Sequence, residues 1–217
     1  MRADPIREIQ GPAGRLEALL EPPVVRPDQA VRAAVVFAHP LPIEGGTLHT
    51  KVVYRATKAL ARLGCAVLRF NFRGVGQSEG TWDEGVGELS DFRAALDVMV
   101  DRYPDIELWA AGFSFGSYVA LTVGATDTRV RVLIGIAPPI DRYDFSAVRS
   151  STKPKFFVHG ERDEVCPLKR MYEFYGQVPE PKELVVIDAA DHLFDGKVLE
   201  VGEALEDLLR DFHTPLN

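Results

Sequence analysis

Short runs of consecutive apolar residues alternate along the chain with longer segments in which apolar residues recur every three or four positions. The short runs are rich in β-branched residues, which is typical of strands buried on both faces, whereas the longer spacing is typical of helices with one buried side. The predicted strands are Val31–Ala38, Ala66–Phe70, Ile106–Phe113, Val130–Ala137, Phe156–His159 and Leu184–Ile187. The predicted helices are Leu48–Leu63, Glu88–Val100, Ser117–Val123, Leu168–Tyr175 and Val198–Phe212.

This alternation of strands and helices predicts an α/β fold with a mostly parallel central sheet and helices on both faces. Before residue 31, the segment that contains Leu16, Ala18 and Leu20 predicts an additional antiparallel edge strand. The proline-rich stretch at residues 22–27 resembles a surface turn more than a linker. Together with a length of 217 residues, this favours a single domain over residues 1–217.

Composition narrows the class of protein further. Hydrophobic residues make up 46% of the chain and charged residues 26%, as in ordinary soluble proteins. The net charge of −7 and the lack of a basic stripe argue against nucleic-acid binding. No apolar run is long enough to span a bilayer, and Met1–Pro5 lacks the apolar core of a signal peptide. We therefore expect a soluble, cytoplasmic protein with no membrane partner.

The two cysteines, Cys65 and Cys166, do not lie in a metal-binding spacing. Cys65 falls in an apolar run and Cys166 next to a proline, so a reduced, cytosolic state is the default expectation. We expect neither a metal nor a cofactor.

Polar residues that could take part in catalysis lie directly after the predicted strands. Ligands of open α/β sheets bind at the carboxyl ends of the strands, where the strand order reverses. We therefore expect the residues in these positions to share one edge of the sheet: His39, Arg73, Ser114, Asp163 and His192.

The strongest local motif is Gly112–Gly116, which has the pattern G-x-S-x-G between a predicted strand and a predicted helix. A sharp strand-to-helix turn strains the backbone at the serine and requires small flanking residues. The turn also places the hydroxyl at a helix amino terminus, which favours developing negative charge. The alternative is an ordinary glycine-flanked turn serine, but the strand–turn–helix context favours Ser114 as a nucleophile.

A serine hydroxyl needs a base to accept its proton. His192 lies in the loop between the last predicted strand and the last predicted helix, from which an imidazole can reach over the edge of the sheet. His159, at the end of a strand, is the second candidate for the base.

The base in turn needs a carboxylate that fixes its tautomer and stabilises the imidazolium. Asp163 follows a buried strand and precedes a helix, so it is the preferred acid. Glu161 and Glu164 compete with it by proximity. Asp191 is adjacent to His192, and neighbouring side chains rarely point at each other.

Acyl transfer also requires backbone N–H donors for the oxyanion. The first expected donor is the amide of Phe115, directly after the nucleophile. The second should come from the loop after the first predicted strand, which contains Pro40, Leu41 and Pro42. Because proline has no N–H, Leu41 is the only donor of this stretch. A rigid loop without a catalytic role is the alternative.

The order Ser114, Asp163, His192 matches the order of the triad in α/β-hydrolases. Four segments together resemble the small, lidless bacterial α/β-hydrolases, most of which are predicted esterases: Val35–Pro40, Asn71–Gly80, Gly112–Gly116 and His159–Asp163. The resemblance extends from about residue 15 to the end of the chain and implies the fold and the triad more strongly than a substrate. Pro40 departs from the wider superfamily, in which glycine commonly follows the histidine.

The resemblance also implies that no cap covers the site. Residues 138–151 can form a loop or one short helix but not a cap domain, so we expect a shallow pocket that prefers short acyl chains. Five apolar residues are predicted to line it: Ile43, Trp82, Pro138, Ile140 and Tyr143.

The glycine-rich loop Arg73–Gly80 could be interpreted as a phosphate-binding loop. It lacks the third glycine at the required spacing and the G-K-[ST] ending, and it does not open directly into a helix. We expect this loop to shape the floor of the active-site cleft instead.

The sequence therefore predicts a serine hydrolase that cleaves a small-molecule carboxylic ester through an acyl-enzyme, as a monomer or homodimer. A thioesterase or a peptidase using the same triad is the first alternative, because the fold does not separate these activities. A non-catalytic binding protein with the same fold is the second.

Overall fold

The computed structural model describes residues 5–26 and 28–213. The expectation drawn from Met1–Pro5 falls almost entirely outside the described residues, as does Pro27 at the end of the predicted turn. The single domain predicted for residues 1–217 likewise extends beyond them at both ends.

The centre of the structure is an eight-stranded sheet with the order β1-β2-β4-β3-β5-β6-β7-β8. Strands β3 to β8 are mutually parallel, whereas β2 runs antiparallel to both β1 and β4. The prediction of a mostly parallel sheet is confirmed, and the predicted antiparallel edge strand is one arm of a hairpin. The strands are β1 Glu8–Gly11, β2 Gly14–Glu21, β3 Ala33–Ala38, β4 Cys65–Phe70, β5 Leu108–Phe113, β6 Val130–Ile136, β7 Lys155–Gly160 and β8 Lys182–Ile187.

In the part of the chain that the structure describes, five helices and a short 3₁₀ turn at Pro42–Glu44 connect the strands, and a sixth helix follows β8. The helices are α1 Lys51–Arg62, α2 Gly87–Arg102, α3 Phe115–Thr126, α4 Ser146–Ser150, α5 Leu168–Gln177 and α6 Val198–Leu209. Within residues 5–26 and 28–213, none of them has the length and apolar composition needed to cross a membrane.

The core consists of two apolar layers, one on each face of the sheet. Val35 and Phe37 of β3 face α1 and α6, whereas Val36 and Ala38 of the same strand face the layer that contains α2 and α3. Because successive side chains of a strand point to opposite faces, a strand covered on both sides is expected to be apolar at every position. This explains why β3 and β5 are continuous apolar runs, from which β4 departs at a single residue, Arg69, and it confirms that helices cover both faces.

The ends of two helices depend on local geometry. Helix α1 ends where Gly64 takes a positive φ of 88°, as expected for a glycine that follows a helix. Helix α3 begins at Phe115, two residues before the predicted start, so Ser114 lies directly at its amino terminus.

Between β6 and β7, residues 137–154 contain only the five-residue helix α4. This confirms the prediction of a loop or one short helix, and the structure has no cap domain at this position. The strand order reverses at β3, whose neighbours are β4 and β5. The loops that follow β3 and β5 therefore meet at the carboxyl edge, where such sheets place their ligands.

Candidate active site

Ser114 occupies a strained turn between β5 and α3, with φ of 53° and ψ of −123°. Such angles are costly for a residue with a side chain and are found mainly at functional sites. The flanking glycines are sterically required. A Cβ on Gly112 would collide with the carbonyl of Gly116, and a Cβ on Gly116 would collide with the carbonyls of Ala38 and His39.

Three polar side chains form a continuous chain of hydrogen bonds at the carboxyl edge of the sheet. Ser114 Oγ lies 2.8 Å from His192 Nε2, and His192 Nδ1 lies 2.8 Å from Asp163 Oδ2. Because a carboxylate only accepts, Nδ1 carries the proton and Nε2 can accept the serine hydrogen. All three residues are buried, with Ser114 the most accessible at 9%. The structure thus brings together the three residues that the sequence singled out.

Asp163 is held by the backbone as well as by His192. Its Oδ1 accepts hydrogen bonds from the amides of Val165 at 2.9 Å and Cys166 at 2.8 Å. Burial alone raises the pKa of Asp163, but the hydrogen bonds from His192 and Cys166 and the histidine charge outweigh it, so this pKa lies below its usual value. The carboxyl group is therefore ionised and oriented towards the imidazole.

The second candidate for the base, His159, does not contact Ser114. Its Nε2 donates to the carbonyl of Cys166 at 2.8 Å and lies 3.7 Å from Asp163 Oδ2. His159 therefore supports the loop that carries the acid.

The two competing carboxylates also bind backbone instead of the imidazole. Glu161 accepts from the amide of Ala189 at 2.9 Å, and Glu164 accepts from the amide of His192 at 3.3 Å. Both side chains thus tie the loop after β7 to the loop that carries the histidine.

The expected oxyanion donors, Leu41 and Phe115, both line the cavity above Ser114. Among the described residues, neither backbone N–H has a hydrogen-bond acceptor. Phe115 is the first residue of α3, where an N–H has no partner within the helix. Leu41 has an extended conformation, with φ of −52° and ψ of 119°, as expected for a residue that precedes a proline.

The cavity above Ser114 has a volume of about 30 Å³, enough for roughly two or three water molecules. Its rim contains one residue of each charge, Glu44 and Arg142, in addition to apolar side chains. The lining residues are Leu41, Glu44, Ser114, Phe115, Pro139, Arg142, Tyr143, Val165 and His192.

Of the five predicted pocket residues, Tyr143 lines this cavity, whereas Ile43, Trp82, Pro138 and Ile140 are not among its lining residues. Ile43 projects from the 3₁₀ turn with 67% of its surface exposed, and Trp82 packs edge-on against Phe115 with ring centroids 5.2 Å apart. Pro138 and Ile140 are buried next to the lining residue Pro139.

Sequence reasoning missed four lining residues: Glu44, Pro139, Arg142 and Val165. All of them follow β3, β6 or β7, so the rule that located the triad could have suggested these loops. No periodic pattern distinguishes which loop residue turns inward.

The glycine-rich loop at residues 73–80 contacts the amino-terminal hairpin. The amide of Gln77 donates to the carboxylate of Glu17 at 2.9 Å, and the amide of Glu17 donates to Ser78 Oγ at 2.9 Å. The Arg73 guanidinium is bound by buried Asp91 at 2.7 and 2.9 Å. Backbone amides of the loop thus bind backbone carbonyls and the carboxylates of Glu17 and Asp91, and its arginine fixes the loop to α2.

The described residues contain no group of three or more His, Cys, Asp or Glu side chains arranged to hold a metal ion. Cys65 and Cys166 are buried free thiols, and burial raises the pKa of each to about 12. A thiol is nucleophilic as its thiolate, so neither cysteine rivals Ser114 in this respect.

The parallel sheet without a cap and the serine in its strand-to-helix turn define an α/β-hydrolase. The sequence profile of the family described as serine aminopeptidase, S33, matches residues 29–148, which is more than half of the chain. The chain belongs to this family of α/β serine hydrolases.

Two solved structures are similar to this one over nearly their whole length. An α/β serine hydrolase homologue from Coxiella burnetii is 38% identical, with a TM-score of 0.86 over 96% of this chain and 98% of that one. An α/β serine hydrolase without lid from Xanthomonas campestris is 36% identical, with a TM-score of 0.86 over 99% and 96%. The Rickettsia prowazekii protein RP471 is 33% identical over 208 residues, covering 92% of this chain and 86% of that protein.

Proposed function

We propose that this serine hydrolase cleaves carboxylic esters with short acyl groups through an acyl-enzyme formed on Ser114. The observation that carries the proposal is the unbroken hydrogen-bond chain from Ser114 through His192 to Asp163. The hydrogen bond to Asp163 orients the imidazole so that Nε2 faces the serine hydroxyl, as the first step requires.

In the first step, Ser114 Oγ attacks the ester carbonyl while His192 Nε2 takes the hydroxyl proton. The negative charge that develops on the carbonyl oxygen is stabilised by the amides of Leu41 and Phe115 and by the amino terminus of α3. Asp163 stabilises the imidazolium. The imidazolium then donates its proton to the alkoxide leaving group, and the C–O bond breaks to give an alcohol and the acyl-enzyme.

In the second step, a water molecule replaces the alcohol. His192 Nε2 accepts a proton from this water, whose oxygen attacks the acyl carbon, and the same two amides stabilise the second tetrahedral intermediate. The proton returns to Ser114 Oγ as the acyl–serine bond breaks, which releases the carboxylic acid and restores the enzyme.

The size of the cavity supports a short acyl group. The cavity above Ser114 has a volume of about 30 Å³, which leaves space for roughly two or three heavy atoms in total. A longer chain would extend into solvent and gain little from burial.

The test is hydrolysis of p-nitrophenyl acetate, butyrate and octanoate by the wild type, by Ser114→Ala and by Ser150→Ala. Ser150 is an exposed serine of α4 and provides the same chemical change away from the site. We expect kcat/KM to fall as the acyl chain lengthens. Loss of Ser114 should lower kcat on the order of 10⁶-fold, as removal of a triad serine does elsewhere.

Activity that is indifferent to Ser114→Ala would refute the proposed nucleophile. Faster turnover of the octanoate than of the acetate would refute the preference for short acyl groups. If no ester is cleaved, labelling of Ser114 by a fluorophosphonate distinguishes a hydrolase of thioesters or amides from a non-catalytic binding protein, which would not be labelled.

A second candidate function is release of an amino-terminal residue from a peptide. The description of the family names this activity, and the exposed carboxylate of Glu44 lies on the rim of the cavity, where it could pair with a free α-amino group. The comparison of alanine p-nitroanilide with its N-acetyl form tests it. Aminopeptidase activity requires faster release of p-nitroaniline from the substrate with a free amino group than from its N-acetyl form. Glu44→Gln should remove that preference.

A further inference from the structure

His39 is fully buried, but the proposed acyl transfer gives its imidazole no part in the chemistry. It is the first residue after β3 and is 0% exposed. Both of its ring nitrogens have backbone partners. Nδ1 lies 2.7 Å from the carbonyl oxygen of Pro40, and Nε2 lies 3.1 Å from the amide nitrogen of Phe72. The imidazole thus connects the loop after β3 to the loop after β4.

These partners fix the tautomer of His39. The amide of Phe72 can only donate, so Nε2 must be the unprotonated nitrogen. The carbonyl of Pro40 can only accept, so Nδ1 must carry the proton. Burial lowers the pKa of His39 to about 4, with partial opposition from the hydrogen bond to Pro40, so the ring stays neutral at ordinary pH.

The carbonyl that His39 holds belongs to the same peptide unit as the amide of Leu41. A trans peptide is planar, and its C=O and N–H point in opposite directions. When His39 binds the Pro40 oxygen, it also sets the direction of the Leu41 N–H. That N–H has no acceptor among the described residues, and Leu41 lines the cavity above Ser114.

We propose that His39 is a positioning residue, which keeps the Leu41 N–H directed at the oxyanion by holding the opposite end of the Pro40–Leu41 peptide. The proposal rests on the function proposed above, because it requires that an oxyanion forms on a substrate attached to Ser114. His39 itself touches neither the substrate nor the reacting atoms.

The neighbouring contacts leave this task to His39. The carbonyl of Leu41, in the next peptide, already accepts from the amides of Glu44 at 3.2 Å and Gly46 at 3.0 Å. Pro40 and Pro42 restrict φ at their own positions, but the Pro40–Leu41 peptide turns about ψ of Pro40 and φ of Leu41, and a proline ring fixes neither of these angles. In contrast, the Phe115 amide is held by α3 and needs no separate support.

Two substitutions separate the two hydrogen bonds of the imidazole. The amide group of asparagine occupies the position of Nδ1, so His39→Asn can still donate to the Pro40 carbonyl. The amide group of glutamine occupies the position of Nε2, so His39→Gln can still accept from Phe72 but leaves the Pro40 carbonyl unbound. Each variant thus keeps one bond and loses the other, and a merely structural role predicts similar losses for both.

The measurements are kcat and KM for p-nitrophenyl acetate and the inhibition constant of butaneboronic acid, which forms a tetrahedral adduct with an active serine. Loss of one oxyanion donor lowers kcat about 10²- to 10³-fold. In His39→Gln the Leu41 N–H remains but the Pro40–Leu41 peptide is no longer held in place, so we expect kcat to fall by about 10- to 100-fold. KM should change little, and the boronate constant should rise by a similar factor. We expect His39→Asn to recover most of both losses.

Equal kcat for the two variants, or an effect on the melting temperature alone, would overturn the proposal. The protein without substitutions provides an independent check, because nitrogen NMR of the imidazole must show Nδ1 protonated and Nε2 unprotonated. The opposite tautomer would also overturn it, even if a variant fails to fold. An absence of ester cleavage and of boronate binding in the wild type would instead refute the proposed function.

Discussion

The two edges of the parallel sheet bury polar side chains for different purposes. At the carboxyl edge, Ser114, His192 and Asp163 bind one another in a chain that ends on the serine hydroxyl at the cavity. At the amino edge, two lysines bind mainly backbone carbonyls, and Lys182 also lies 3.9 Å from the carboxylate of Glu180. Lys155 Nζ donates to Lys153 O at 2.6 Å and to Pro179 O at 3.2 Å, and Lys182 contacts carbonyls at the end of α5.

Helix polarity explains the contacts of Lys182, which binds the α5 carbonyl of Tyr175, whereas the two carbonyls that bind Lys155 lie in loops. Each helix that connects two parallel strands begins at the carboxyl edge and ends at the amino edge. Helix amino termini present free N–H groups and favour anions, whereas carboxyl termini present free carbonyls and favour cations. The same folding rule therefore gives one edge suited to a developing oxyanion and another edge suited to lysines.

The largest effect that we expect is on the chemistry at the carboxyl edge. Asp163→Asn should lower kcat by about 10⁴-fold, because an asparagine amide facing Nδ1 favours the wrong tautomer of His192. Steady-state kinetics on p-nitrophenyl acetate measure the loss. Glu161→Gln makes the same change on the same loop and should leave kcat nearly unaltered. A loss below tenfold in Asp163→Asn would mean that this acid does not support the base.

At the amino edge we expect an intermediate effect, which lowers stability and leaves kcat unchanged. Lys155→Met leaves the carbonyls of Lys153 and Pro179 without their donor, which should lower the free energy of unfolding by about 1–3 kcal/mol. Urea denaturation measures this loss, with exposed Lys169→Met as the control. If Lys155→Met lowers kcat while stability is unchanged, the two edges do not have separate roles.

The last effect that we expect is a pH dependence of stability at the same lysine. Burial, followed by the charge of Lys182, lowers the pKa of Lys155 to about 8 from 10.5. Between these values the unfolded chain binds the proton that the folded protein has lost, so this group makes the protein more stable as pH rises from about 8 to 10.5. Denaturation at several pH values should show that the free energy of unfolding of the wild type rises relative to that of Lys155→Met over this pH range. A constant difference between the two would argue against a depressed pKa.

Much of the fold was predictable because its causes are local. Strands covered on both faces are mainly apolar, and all six parallel strands contain an apolar run that located them within a few residues. The ends of the elements were less certain because they depend on capping contacts. Helix α3, for example, begins at Phe115 instead of Ser117. The other strand of the amino-terminal hairpin, β1, has only four residues, and its pattern was too short to be recognised.

The candidate site was predictable where two conditions held. The reaction restricts which residue types can act, and the fold restricts them to positions directly after strands. Only a serine in G-x-S-x-G, and acids and histidines after later strands, satisfied both conditions. The backbone contacts of Glu161 and Glu164 were not predictable, because they depend on which of several adjacent carboxylates turns inward. The inward direction of Glu44, Arg142 and Val165 at the cavity was missed for the same reason.

The sequence by itself determined the α/β architecture, the serine turn and the order of the three polar residues, because these follow from apolar periodicity, from the need for small residues beside Ser114 and from a fixed strand polarity. Only the tertiary structure decided which histidine reaches the serine, which carboxylate reaches that histidine, and that His39 binds the Pro40 carbonyl. These contacts join residues distant in sequence, or depend on the direction of a side chain, and neither is specified by a local pattern.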